Sequence, residues 1–273
     1  MQFTVFYSWQ TDRPEETNKK FLRDVIKEAV AKVSAEGVLV DSPRFESGMD
    51  GVAGTPEVAT VMFDRIDECA IFIGDVTIVA QIPAAKEDEQ PKFIPNPNVS
   101  LELGYAAARI GWGRVICVTN EAFGRRDQQP FDVRNRRYPI DYTLDPKDMS
   151  QKAAVKKYLV DLLYKAIKSV QENEHRAAED ARDRLDADCI RVLQEQAGTF
   201  HFYERDYAPG ADPFPILRYK ASITRLLSLK LLRYDQQPNL DGASFSWAYH
   251  WTHLGKMVLR LLKFSDLLAA KKE

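Results

Sequence analysis

Glu102 is the residue whose sequence context best fits it for chemistry. It lies in Asn96-Pro97-Asn98-Val99-Ser100-Leu101-Glu102-Leu103-Gly104-Tyr105-Ala106-Ala107-Ala108, where a polar, proline-stiffened approach turns into an apolar helix carrying one carboxylate near its start. Pro97 suits a first-turn position, and the side chain of Asn96 or Asn98 can cap orphan amides. Val99, Leu103, Ala106 and Ile110 recur at helical spacing and predict a buried stripe. At about 100° per residue, Glu102 falls on the flank of that stripe, beside Tyr105 and Arg109. From there a side chain reaches a cleft without pointing to bulk water. The bland alternative is an acid that complements the helix dipole. A capping box does not explain it, because that motif places the acid three residues after the cap, whereas Glu102 follows Asn98 by four and Asn96 by six.

The chemistry open to this carboxylate is narrowed by what surrounds it. All four histidines (His175, His201, His250, His253) come late in the chain, so the first half must work without imidazole, which excludes most general-base triads. There is no HExxH motif, no cysteine and histidine cluster and no EF-hand acid spacing, so a metal site has no support. Neither GxGxxG nor GxxxxGK[ST] is present, and Gly48, Gly51 and Gly54 form only a weak phosphate cradle. A single cleft carboxylate is suited to stabilising positive charge on a sugar ring. Cleavage of an N-glycosidic bond passes through an oxocarbenium-like transition state, which a preorganised anion lowers. A leaving base that departs neutral needs no general acid, and one glutamate then suffices.

The elements that must position Glu102 follow a strand and helix alternation. Phe3 to Trp9 reads as a strand ending in the polar loop Gln10-Thr11-Asp12. A helix is expected from Glu15 to about Ser34, with Phe21, Val25, Ala29 and Val33 on one face. Val38-Leu39-Val40 is a second strand candidate. Thr55-Pro56-Glu57 opens a helix carrying Val58, Val61, Met62, Ile66 and Cys69. Ala70 to Val76 reads as a strand buried on both faces, and a polar loop from about Gln81 to Pro95 leads to the Glu102 helix. Arg114 to Asn120 and Tyr138 to Tyr142 complete five strands of a parallel sheet wrapped by helices. Ligands of such sheets bind at the carboxyl ends of the strands, where Ser8, Trp9, Gln10, Asp75 and the start of the Glu102 helix all fall. Trp9 either packs or stacks on a base, Asp75 either caps the next turn or lines the crevice, and Arg134, Arg136 and Arg137 are either solvated or pair with pyrophosphate.

At 273 residues, 45% hydrophobic and 29% charged, the chain is long for one domain and comfortable for two. No apolar run approaches a membrane span and no leader is evident, so a cytoplasmic protein without membrane contact is expected. Cys69, Cys117 and Cys189 are too few and too scattered for a disulfide framework. The net charge of −2 is unevenly spread: Met1 to Lys147 holds 18 basic and 23 acidic residues, Ile216 to Glu273 holds 10 basic and 4 acidic. Only that last stretch would attract a polyanion. A helical, polar stretch is expected from Pro146 to about Gln196, with Ala177 to Asp188 solvated. Ile216 to Leu232 then reads as a helix, Ser244 to Trp251 alternates with period two, and Thr252 caps a final helix. Helix, two-stranded wing and capped helix is the layout of a winged helix, with Phe245, Trp247, Tyr249 and Trp251 as wing core or as a nucleic-acid platform.

Tyr7-Ser8-Trp9-Gln10-Thr11-Asp12, Gly54-Thr55-Pro56-Glu57-Val58, Gly74-Asp75-Val76-Thr77, Asn96 to Ala106, and Pro130-Phe131-Asp132 with Arg136-Arg137 together resemble a bacterial family of TIR-like domains. The resemblance covers about residues 3 to 143. It implies a flavodoxin-like parallel five-stranded sheet and NAD⁺ glycohydrolase activity in antiphage defence, with Glu102 matching the catalytic glutamate. Nicotinamide leaves NAD⁺ neutral, in keeping with a lone carboxylate. Tyr7, Ser8, Trp9, Gln10 and Asp75 match positions lining the family's nucleotide cleft, and Asn98 and Tyr105 on the Glu102 helix join them as expected substrate-binding residues. NAD⁺ is then a substrate and no cofactor is expected. The chain also resembles nucleoside 2-deoxyribosyltransferases, where the carboxylate acts as a nucleophile on nucleosides or nucleotides. The expected domains are 1–175, TIR-like and NAD-cleaving, and 176–273, a helical linker and a smaller winged-helix-like domain. Expected partners are further copies of the chain or a defence-system protein, with nucleic acid a candidate through residues 216–273. Outside catalysis, a TIR scaffold or a winged-helix DNA-binding regulator is the competing class.

Overall fold

The computed structural model describes residues 3–36, 43–48, 58–84, 86, 90–134, 139–199, 201–203, 212–238 and 245–264. The chain divides into two compact units, Met1–Val170 and Gln171–Glu273. The first contains β1 (Phe3–Ser8), α1 (Lys19–Ala35), β2 (Pro43–Ser47), α2 (Val58–Glu68), β3 (Ile71–Asp75), β4 (Ile78–Ile82) and β5 (Lys92–Pro95). It continues through α3 (Pro97–Arg109), β6 (Val115–Asn120), the single-turn α4 (Phe131–Arg134), β7 (Ile140–Tyr142) and the start of α5 (Lys152–Asp183).

Five strands form one all-parallel sheet in the order β2-β1-β3-β6-β7. The order reverses between β1 and β3, which is compatible with a flavodoxin-like fold. Every residue of β3 is buried, as a strand covered on both faces requires. Strand alternation divides the side chains between two cores. Val5, Tyr7, Ile71, Ile73 and Val118 meet the apolar stripe of α1 and Leu159, Leu163 and Ile167 of α5. Phe6 and Phe72 face the other way, against Ile66 of α2 and Leu103 and Ala106 of α3. Each fully buried side chain of this size contributes roughly 1.5–3 kcal/mol, so helices on both faces are fixed by the pattern of the strands.

Some expectations change. The Gln81 to Pro95 segment is not simply a loop: β4 and β5 pair antiparallel, from Ile78 with Pro95 to Ile82 with Lys92. The second sheet strand occupies Pro43–Ser47, while Val38 to Val40, the Met49 to Gly54 loop and the helix opening at Thr55-Pro56-Glu57 lie outside the described residues. The helical, polar stretch after Pro146 divides into two helices. Asp186 accepts from the Cys189 amide at 2.8 Å and starts α6 (Ala187–Gln196) afresh. Within the charged run expected to be solvated, Ala178 and Ala181 are buried in the core of the second unit.

That unit also contains β8 (His201–Tyr203), α7 (Pro213–Ser228), β9 (Leu232–Pro238), β10 (Phe245–Trp251) and α8 (His253–Leu261). The strands make an antiparallel sheet in the order β8-β10-β9. Phe202, Tyr249 and Trp251 line its inner face against Leu193, Ile223, Leu226, Val258 and Leu259. Thr252 caps α8 as its sequence suggests, accepting from the Gly255 amide at 3.0 Å.

Candidate active site

Glu102 is positioned by the start of α3. The Asn96 side chain accepts from the amides of Asn98 and Val99 at 2.9 and 3.1 Å, and Pro97 fills the first turn. The same Asn96 donates to Asp12 at 2.6 Å, which ties α3 to the loop leaving β1. Val99, Leu103 and Ala106 are buried, so Glu102 on their flank is half-buried above the carboxyl ends of β1 and β3.

One hydrogen bond holds it there. Ser8, fully buried at the last position of β1, donates from Oγ to Glu102 Oε2 at 2.6 Å. Burial raises the Glu102 carboxyl above the ordinary glutamate value, and the Ser8 hydrogen bond opposes that rise. No cation among the described residues pairs with it. Arg109, its neighbour on α3, is engaged by both carboxylate oxygens of Asp67 at 2.7 and 2.5 Å. Glu102 is therefore a half-buried carboxyl with a single neutral donor, an arrangement that in its ionised form is able to stabilise a developing positive charge.

Behind it lies a buried polar network that fixes three strand ends. Asp75, fully buried, accepts from Gln10 at 3.1 Å, from Asn18 at 3.2 Å and from the Thr77 amide at 3.1 Å. Burial raises its carboxyl, against the lowering effect of hydrogen bonds from Thr77, Asn18 and Gln10. Asn18 also donates to Thr77 Oγ1 at 3.0 Å, and the Asn120 amide donates to the same oxygen at 2.9 Å. The Asn120 side chain donates to Asn18 and to the Leu144 carbonyl and accepts from the Leu144 and Ala122 amides.

Of the expected site residues, Ser8 and the candidate catalytic Glu102 are brought together. Gln10 and Asp75 meet each other, but inside the protein, at 2% and 0% exposure; their place is in the network, not on a cleft wall. Tyr7 is corrected for the same reason. Alternation along β1 sends Phe6 and Ser8 to the α3 side and Tyr7 to the α1 side, where it is fully buried in the core. Its hydroxyl has no hydrogen-bond partner among the described residues, and burial raises its pKa well above the ordinary tyrosine value. Trp9 packs on the same core, with the Lys19 ammonium 3.5 Å from its ring centroid. The packing reading of Trp9 fits these contacts. Asn98 is exposed at the tip of α3, and Tyr105 stacks on Phe63 at 4.3 Å between centroids. Arg134 donates to the Asp127 carbonyl; Arg136 and Arg137 lie outside the described residues.

Sequence reasoning missed Asn18, Thr77 and Asn120. Thr77 stood in the Gly74 to Thr77 motif and Asn120 at a strand end, but their shared role rests on contacts 43 to 102 residues apart in the chain. Among the described residues no cluster of His, Cys, Asp and Glu could hold a metal ion, and no helix is long and apolar enough to cross a membrane. No family model matches the chain, and no curated protein matches it at a significant level.

Proposed function

We propose that the first unit cleaves the N-glycosidic bond between nicotinamide and ribose in NAD⁺ or a related nucleotide, with Glu102 as the catalytic carboxylate. The observation that carries this reading is the Ser8–Glu102 pair: a half-buried glutamate at the reversal point of a parallel sheet, held by one hydroxyl and neutralised by no described cation. An oxocarbenium-like sugar is the cation such a site would favour, and nicotinamide leaves without needing a proton. The motif resemblance to TIR-like NAD⁺ glycohydrolases of antiphage defence supports the same substrate. Ser8 is a positioning residue in this scheme. The Asp75 network keeps the ends of β1, β3 and β6 in register beneath it.

A second reading makes Glu102 a nucleophile on nucleosides, as in the deoxyribosyltransferases that the sequence also resembles. It is favoured by the same single-donor geometry, which leaves the other carboxylate oxygen without a described partner. For the second unit, α7 followed by the β9–β10 hairpin and a capped helix, with β8 pairing on β10, supports a winged-helix-like module. Its role in this proposal is assembly or docking to a partner that gates the enzyme. A non-catalytic scaffold or DNA-binding regulator is the opposing class.

The test is to incubate purified protein, alone and concentrated, with NAD⁺ and separately with deoxynucleosides and a free base, and to separate the products. Nicotinamide release abolished by Glu102→Gln supports the glycohydrolase. Base exchange without attack on NAD⁺ supports the transferase, and no turnover under either condition supports the scaffold.

A further inference from the structure

The second unit carries an unusual pair of side chains at the start of α7. Phe214 and Leu217, one turn apart, are 68% and 61% exposed, whereas the opposite face of the helix, with Tyr219, Ile223 and Leu226, is buried in the unit's own core. Next to them α6 and α7 run side by side, joined by Arg225 to Asp186 at 3.2 Å, and leave between them a groove of about 310 Å³. Val192 and Tyr219 form its floor. Asp188, Arg191 and Glu195 of α6 and Arg218 of α7 form its rim. Phe214 precedes Arg218 by four residues and so shares its side of the helix.

We propose that this surface is where two copies of the chain meet, in a two-fold pairing that seats Phe214 and Leu217 of each copy in the α6–α7 groove of the other. A two-fold contact uses one patch twice, so the patch must carry both the projection and the hollow; here α7 bears the projection and one wall of the hollow. The rim bears two acids and two bases, and a surface with no net charge can face itself without repulsion. Arg191 is within 3.6 Å of Asp188, but Arg218 has no side-chain partner among the described residues. Across the two-fold it would meet the acidic rim of α6. Nucleic acid fits this surface poorly, since Asp188 and Glu195 repel phosphate and two large apolar side chains offer it no hydrogen bond. The pairing does not depend on the chemistry assigned to Glu102.

The experiment is sedimentation and light scattering on the full chain over a wide concentration range. The mass should rise from 31.2 kDa towards twice that value. Phe214→Asp combined with Leu217→Asp should stay monomeric while keeping the far-ultraviolet circular dichroism and melting temperature of the parent. Arg218→Glu should weaken dimerisation by about tenfold or more, and adding Glu195→Arg should recover it, which a folding defect would not do. A parent chain monomeric at every concentration, or a dimer that survives the double Phe214 and Leu217 substitution, overturns the proposal.

Discussion

Glu102→Gln separates function from folding more sharply than any other single change. The amide is nearly isosteric, and its oxygen can still accept the hydrogen bond from buried Ser8, so no polar group is orphaned. What disappears is the charge. Removing one preorganised electrostatic contact from a developing transition state costs about 2.7–4 kcal/mol, or roughly a hundred- to a thousandfold in turnover. Stability should move the other way. Burial raises the Glu102 pKa in the folded state, so between the unfolded and folded values the native protein binds more protons than the unfolded chain. Its contribution therefore favours the native state at low pH and is lost as pH rises through the folded value. At neutral pH the ionised carboxylate is held against its surroundings, and the amide removes that penalty. Nicotinamide release followed by chromatography and thermal melts at neutral and mildly acidic pH are the two assays. The expected outcome is a near-inactive protein with an unchanged or higher melting temperature at pH 7 and a smaller gain near pH 5. Turnover within tenfold of the parent, or a melting temperature lower by more than about 4 °C, the size of roughly 1 kcal/mol in a domain of this length, would refute the reasoning.

Ser8→Ala should lower turnover and move the acidic limb of the pH–rate profile to higher pH, because the hydrogen bond that opposes the effect of burial on Glu102 is gone; a Ser8 that merely packs would leave that limb in place. Asn120→Ala leaves the buried amide of Leu144 and the carbonyl of the same residue without their side-chain partner, and should destabilise the first unit by roughly 3 kcal/mol in denaturant titration. Two helical glycines should respond in opposite directions. Gly104→Ala, whose new methyl would meet nothing within 4 Å, should stabilise by about 0.5–1 kcal/mol, while Gly255→Ala would drive a methyl to 2.0 Å from the Leu231 carbonyl oxygen and should disrupt the second unit.

Where a signal was local, the sequence carried it. Asn96 and Pro97 announce the start of α3, Thr252 announces α8, and the unbroken apolar run of β3 announces a strand covered on both faces. The β4–β5 pair was hidden because its partners lie ten or more residues apart and neither strand shows alternation or a tight turn signal. The restart at Asp186 was hidden by its charged surroundings, which also concealed that Ala178 and Ala181 are small enough to sit in a core. For the candidate site, Glu102 was legible from its place on the flank of a helical stripe. Its pairing with Ser8, 94 residues away, was not, since nothing local to either residue encodes the contact. Tyr7 is different: strand alternation alone places it opposite Ser8, so its burial on the far side of the sheet was readable from the β1 pattern.

The two carboxylates at this sheet edge illustrate how burial and hydrogen bonding divide tasks. Asp75 is enclosed and accepts from Gln10, Asn18 and Thr77, so its oxygens are satisfied and it is suited to holding strand ends together. Glu102 is open on one side and has one donor. Were the donors distributed equally, neither residue would serve its purpose: a loosely held Asp75 would let the ends of β1 and β3 drift, and a fully bonded Glu102 would have no electrostatic capacity left for a ligand. The asymmetry follows from topology. Asp75 ends the central strand β3, flanked by β1 and β6, where neighbouring loops supply side-chain amides. Glu102 stands on the flank of a helix whose apolar stripe packs on the sheet, and Ser8 at the end of β1 is its one described donor. The carboxylate with a single described donor is the one open to a ligand, as the proposed reaction requires.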